Sequence, residues 1–177
     1  MKKINQILIL LVLSSVLPII SCTKDKDTPT PATSAPVTPA PISYSKFNIN
    51  QIIVTNMPIY NSNGFNWDTS SDPDIYFLIS DSIGTLLFDG STGFKSNISS
   101  SNLPTGWSFT YPYIINNLSQ GIYIHLYDND VNDFPSNADD YMDSVWLKMS
   151  GYTSTYPTTV YVSNNYLYIT VKGTWSI

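Results

Sequence analysis

Nine of the eleven aspartates that follow residue 42 fall in two short windows. Asp68, Asp72 and Asp74 stand just before the apolar run Ile75-Tyr76-Phe77-Leu78-Ile79, and Asp128, Asp130, Asp133, Asp139, Asp140 and Asp143 follow the run Ile122-Tyr123-Ile124-His125-Leu126-Tyr127. Clustered carboxylates repel one another and lower stability unless a cation neutralises them. Hard oxygen ligands at loop tips suit Ca²⁺, which takes about six to eight oxygens in a flexible geometry. Asp also favours turns on its own account, so composition alone leaves ligand and solvated turn residue level. A glycosidase needs one carboxyl group of raised pKa opposite another. Here the aspartates sit in polar loops, so the expectation is metal ligands and no enzyme.

The elements that must position these residues are short. Runs of Ile, Val, Tyr, Phe and Thr alternate with Asn, Gly, Asp, Ser and Pro clusters, and no stretch keeps a helical period. Strands are expected near Phe47–Thr55, Ile75–Ser80, Thr85–Phe88, Trp107–Tyr113, Ile122–Tyr127, Ser144–Met149, Thr159–Val162 and Tyr166–Lys172. Asn tolerates positive φ, so Asn164-Asn165 suits a tight hairpin turn between the last two. Eight short strands at this spacing predict an all-β, antiparallel eight-stranded β-sandwich.

The motifs also resemble those of C2 domains. Ile122-x-Ile124-x-Leu126-Tyr127-Asp128-x-Asp130 followed by Asp139-Asp140-Tyr141-Met142 is similar to the third calcium loop of that family. Asp68, then Ser71-Asp72-Pro73-Asp74-Ile75, is similar to the first, and Ile52-Ile53-Val54-Thr55-Asn56-Met57-Pro58 looks like the opening strand. Trp107 to Ile114 falls where the family's middle aromatic strand would be. The resemblance implies a C2-like sandwich over residues 43–177 with Ca²⁺ on Asp72, Asp128 and Asp130, then Asp68 and Asp140, with Asp139, Asp74 and the Asn129 carbonyl as further candidates. Phe65, Trp67 and Phe134, inside the acidic loops, would then meet a ligand or cap the sandwich. The pattern departs from the family's in places. Asn66, not Asp68, keeps the usual spacing to Asp72, Asp74 replaces an aromatic, Asp143 replaces a Gly, and the lysine-rich strand that binds acidic headgroups is missing.

Residues 1–21 read as an address. Lys2 and Lys3 precede an eleven-residue apolar run, Ile7 to Leu17, broken only by Ser14 and Ser15. A membrane span needs about twenty residues, so this length suits a signal-peptide core. Ile19-Ile20-Ser21-Cys22 resembles the lipobox of bacterial lipoproteins, and Cys22 is the only cysteine. The resemblance implies a lipid-acylated Cys22 as mature N-terminus, anchored to an outer membrane at the cell surface or its periplasmic face. Thr23-Lys24-Asp25-Lys26-Asp27 resembles the export signals of Bacteroidota lipoproteins. Residues 22–42 form the expected linker, with five prolines between Thr28 and Pro41. In polyproline II at about 3 Å per residue, it would hold the domain roughly 60 Å from the lipid.

All eight basic residues are Lys and all thirteen acidic residues are Asp. The missing Arg and the formal charge of −5 exclude nucleic acid as a partner. One His and one Cys exclude a zinc finger, a Cys/His protease and a disulfide framework. His125 alternates with the inward Ile124 and Leu126, so it is expected on the outer face. Asp81-Ser82-Ile83 and Asp143-Ser144-Val145 resemble the O-glycosylation tripeptide of Bacteroidota. The expected role is calcium-dependent binding or adhesion to a lipid, glycan or protein. The alternative is a carbohydrate-binding sandwich whose calcium is structural.

Overall fold

The computed structural model describes residues 40–68, 70–130 and 138–177. The signal peptide, Cys22, most of the linker, and Asp133 and Phe134 lie outside the described residues. Pro41–Ile177 form one compact unit. Among the described residues it contains eight strands: β1 Lys46–Asn56, β2 Ile75–Asp81, β3 Leu86–Asp89, β4 Thr105–Ile115, β5 Ile122–Asp128, β6 Asp140–Leu147, β7 Thr159–Ser163 and β8 Tyr168–Ser176. They form two four-stranded antiparallel sheets, ordered β4-β1-β8-β7 and β3-β2-β5-β6. The chain is thus the expected all-β sandwich.

Alternation explains the inner faces. Ile122, Ile124 and Leu126 of β5 are buried while Tyr123, His125 and Tyr127 turn outward and are half-buried. In β1 the buried set is Phe47 and Ile49, then Ile52 and Val54, which breaks a period of two. The ladder to β4 and β8 slips between Ile49 and Gln51, and this bulge absorbs one residue, so the apolar side chains return to the core. Phe77 of β2 lies 5.4 Å from Phe88, 5.1 Å from Trp107 and 5.9 Å from Phe109 between ring centroids, a packed aromatic knot between the sheets. Pro112 falls on β4, an edge strand, where a missing N–H is tolerated.

Two sequence expectations are corrected in detail. β6 begins at Asp140, not near Ser144, because β5 extends to Asp128 and pairs with it. The β7–β8 turn uses no positive φ at Asn164 or Asn165. Instead the Asn164 Oδ1 accepts the backbone N–H groups of Tyr166 and Leu167, both at 2.8 Å, so the side chain itself closes the turn.

Phe77→Ala removes the ring that joins the two sheets. It is expected to lower unfolding free energy by about 3–5 kcal/mol, measurable by denaturant titration. A loss below about 1 kcal/mol would contradict this packing.

Candidate metal centre and its flanking groove

The inward row of β5 ends in a carboxylate. After Ile122, Ile124 and Leu126, the next inward position is Asp128, and it is 0% exposed. Its placement is enforced from β2, which pairs Ile75 with Asp128. Just before that strand, the Asp74 N–H donates to Asp128 Oδ1 at 2.7 Å, and the Asn129 N–H donates to the Asp74 carbonyl at 2.7 Å. These two bonds clamp the first acidic loop onto the end of β5. Asp128 Oδ2 is buried with no hydrogen-bond partner among the described residues.

Asp68 and Asp130 converge on it. One carboxylate oxygen from each of Asp68, Asp128 and Asp130 lies within 4.8 Å of the others, and all three residues are buried. Asp68 is fixed by the Ser71 hydroxyl, which donates to its Oδ2 at 2.8 Å. Its neighbour Trp67 is half-buried against the core, with the indole N–H donating to the Pro58 carbonyl at 2.9 Å. Asp130 is held through its backbone, whose N–H donates to Asp139 Oδ1 at 3.2 Å. The other oxygen of Asp139 accepts the Tyr76 hydroxyl at 2.7 Å, and that bond together with burial raises the Tyr76 pKa.

Three ionised carboxylates at this spacing repel by about 3 kcal/mol per pair at an effective dielectric of about 20. Burial, then the Asp68 charge, push the Asp128 carboxyl up to about 7; the Asp74 N–H opposes this, and the charges of Asp130 and Asp74 add to it. The Lys95 ammonium lies 5.7 Å from the centroid of the Trp107 ring. The carboxylate oxygens thus suit a hard divalent cation, and the orphaned oxygen of Asp128 fits one.

The other sequence candidates are placed elsewhere. Asp72 is exposed, outside the trio. Asp74 acts through its backbone, and its Oδ1 accepts the Asn97 N–H at 2.8 Å. Asp139 has both oxygens in hydrogen bonds. Asp140 is exposed and faces Asp128 across the β5–β6 ladder. Phe65 is 69% exposed at the tip of the first loop. His125 is half-buried on the outer face, 2.7 Å from the Ser80 hydroxyl, and burial lowers its pKa. Sequence reasoning missed the positioning roles of Ser71, which bonds Asp68 within one loop, and of Tyr76 and Asp139, which meet only through the folded sheet.

It also missed a groove of ≈ 910 Å³ beside the centre, lined by the loop after β1, the first residues of β6 and the β7–β8 turn. Trp67, Tyr60, Tyr141 and Tyr166 contribute rings, and Asn56, Asn61, Asn63, Asp140 and Asp143 contribute polar groups.

No family model matches the chain, and no curated protein matches it. Among solved structures it is similar to a C2 domain protein from Ramazzottius varieornatus, at 12% identity and a TM-score of 0.40, over 78% of this chain and 93% of that one. The reading of the site rests on its own geometry.

The raised Asp128 pKa fixes a sign. The folded state holds a proton that the unfolded chain loses above 3.8, so the metal-free fold loses stability as pH rises through about 7. The lowered His125 acts oppositely, its contribution being lost as pH falls below 6.5, and the lowered Asp81 and Asp89 contribute fully above 3.8 and progressively less as pH falls below it. Asp128→Asn keeps an oxygen for the Asp74 N–H and removes the charge. In chelator it is expected to melt above the wild type at about pH 8, with the gap closing towards about pH 5. Equal melting temperatures at both pH values would contradict the buried charge.

Proposed function

We propose that the domain is a C2-like calcium-binding sandwich, carried on an N-terminal lipid anchor, whose role is binding or adhesion and not catalysis. The observation that supports it is the buried carboxylate of Asp128, with an orphaned oxygen, between the carboxylates of Asp68 and Asp130. The three side chains offer a cation up to six oxygens, and loop carbonyls and water complete the shell that Ca²⁺ takes. Bound there, Ca²⁺ would supply the positive charge that the trio lacks. The three carboxylates would then tie the first acidic loop to the end of β5. A site on an extracellular module commonly binds at about 0.1–1 mM. In a medium of similar calcium concentration it is about half filled, and at about a tenfold excess it is largely filled and acts as a fixed brace.

The anchor reading rests on Lys2 and Lys3, the apolar run 7–17 and the lone Cys22. Several acyl chains on one residue hold a protein to a bilayer where a single chain binds only reversibly. The linker with its five prolines would then display the domain away from the lipid, on the cell surface or the periplasmic face. The second reading, a carbohydrate-binding sandwich with structural calcium, is favoured by the ring-lined groove beside the trio.

Two outcomes test this. Calcium that binds only the folded state raises its melting temperature by mass action; the gain in stability at a hundredfold excess over Kd is about 2.7 kcal/mol. The gain is expected to vanish in Asp68→Asn/Asp130→Asn, and a wild-type melting temperature indifferent to millimolar Ca²⁺ would sink the metal reading. Cys22→Ser is expected to move the protein from the membrane fraction to the soluble one. A variant that still sediments with membranes after a carbonate wash would sink the anchor.

A further inference from the structure

We propose that the groove beside the acidic centre binds an uncharged oligosaccharide. The inference rests on the reading of the domain as a binding module and not on the ion, because Asp68, Asp128 and Asp130 do not line the groove.

Three observations point to this ligand. The first is the rings. Tyr60 and Tyr166 line the groove and are 58% and 65% exposed, so they offer apolar surface that folding has not used, whereas the ring of Tyr141, also a lining residue, is already packed 5.5 Å from Tyr127 on the outer sheet face. A pyranose has flat C–H faces that rest on such rings and hydroxyls that leave the contact sideways. Amide and carboxylate side chains then meet those hydroxyls, and Asn56, Asn63 and the exposed Asp140 stand along the same groove. This combination of apolar surface with a few placed polar groups is what small-ligand sites share.

The second is charge. Among the described residues Asp140 and Asp143 line the groove and no lysine does, and residues 43–177 carry four Lys against eleven Asp. Phosphates, acidic sugars and anionic headgroups would be repelled, so among oligosaccharides the charge selects neutral ones. At ≈ 910 Å³ the groove has room for several sugar rings.

The third is preorganisation. Asn61 Oδ1 accepts the N–H groups of Asn63 and Phe65, at 3.0 and 3.2 Å, and Gly64 takes a positive φ of 79° to close that loop. The Asn56 amide donates to the Tyr166 carbonyl at 2.9 Å. Asp143 Oδ1 accepts the Asn164 amide at 2.7 Å, which pins the β7–β8 turn to β6. The segments that carry the three exposed tyrosines are therefore cross-tied before any ligand arrives, and little ordering cost remains for binding.

Calorimetry of the full chain tests the proposal with linear hexasaccharides of glucose, mannose, xylose and galacturonate, each with Ca²⁺ and with chelator. At least one neutral hexasaccharide is expected to bind with a Kd below about 1 mM, and galacturonate more weakly than that. Tyr60→Ala and Tyr166→Ala are each expected to weaken binding about two- to tenfold, with the melting temperature unchanged. Trp146→Ala, on the outer sheet face away from the groove, is expected to leave it unchanged. Sugar binding that persists in a chain found not to bind Ca²⁺ supports the groove and refutes only the metal reading. Failure of all three neutral sugars, tighter binding of galacturonate, or affinity indifferent to both tyrosine substitutions overturns the proposal.

Discussion

A negative charge stands at the end of an apolar row, and the acidic end of the molecule is arranged around it. Asp128 occupies the inward position that follows Ile122, Ile124 and Leu126, so folding the sandwich buries a carboxylate. A buried carboxylate is tolerated only when protonated, hydrogen-bonded or paired with a cation. The Asp74 N–H satisfies one oxygen. The other faces burial and the charges of Asp68 and Asp130, and the raised pKa of Asp128 records that conflict. A proton resolves it in mild acid, and a divalent cation between the carboxylates would resolve it at neutral pH.

The same constraint links loops far apart in sequence. β2 and β5 pair through Ile75 and Asp128, which brings the segment after Trp67 against the end of β5. Tyr76 reaches across to Asp139, and Asp139 in turn holds the backbone of Asp130. Strand pairing thus gathers the carboxylates, and hydrogen bonds among non-ligand residues aim them. The groove shares this frame, since Trp67 adjoins Asp68 in the chain and Asp140 faces Asp128 across the ladder. An ion that braces one would steady the walls of the other.

The strands were legible because alternation and turn residues are local properties. All eight expected strands exist, and even the bulge in β1 is visible as the broken period of Phe47, Ile49, Ile52 and Val54. The start of β6 was hidden, because Asp140 and Asp143 read as loop until pairing with β5 recruits them. Which aspartates converge was only half legible. The inward row leads to Asp128, but nothing local separates buried Asp68 from exposed Asp72, four residues away in one loop. Asp139 looked like a ligand and instead serves Tyr76 and Asp130, partners that only the folded sheet supplies. The groove left no motif at all, since its rings come from three separate segments.

A crystal structure of the chain grown in millimolar Ca²⁺ decides whether Asp68, Asp128 and Asp130 hold one cation together. An anomalous density peak is expected between the three carboxylates, with an oxygen of each at about 2.3–2.6 Å. Clear density for the three side chains with no peak between them, or a peak bound instead by Asp72 and Asp140, would contradict that shared site.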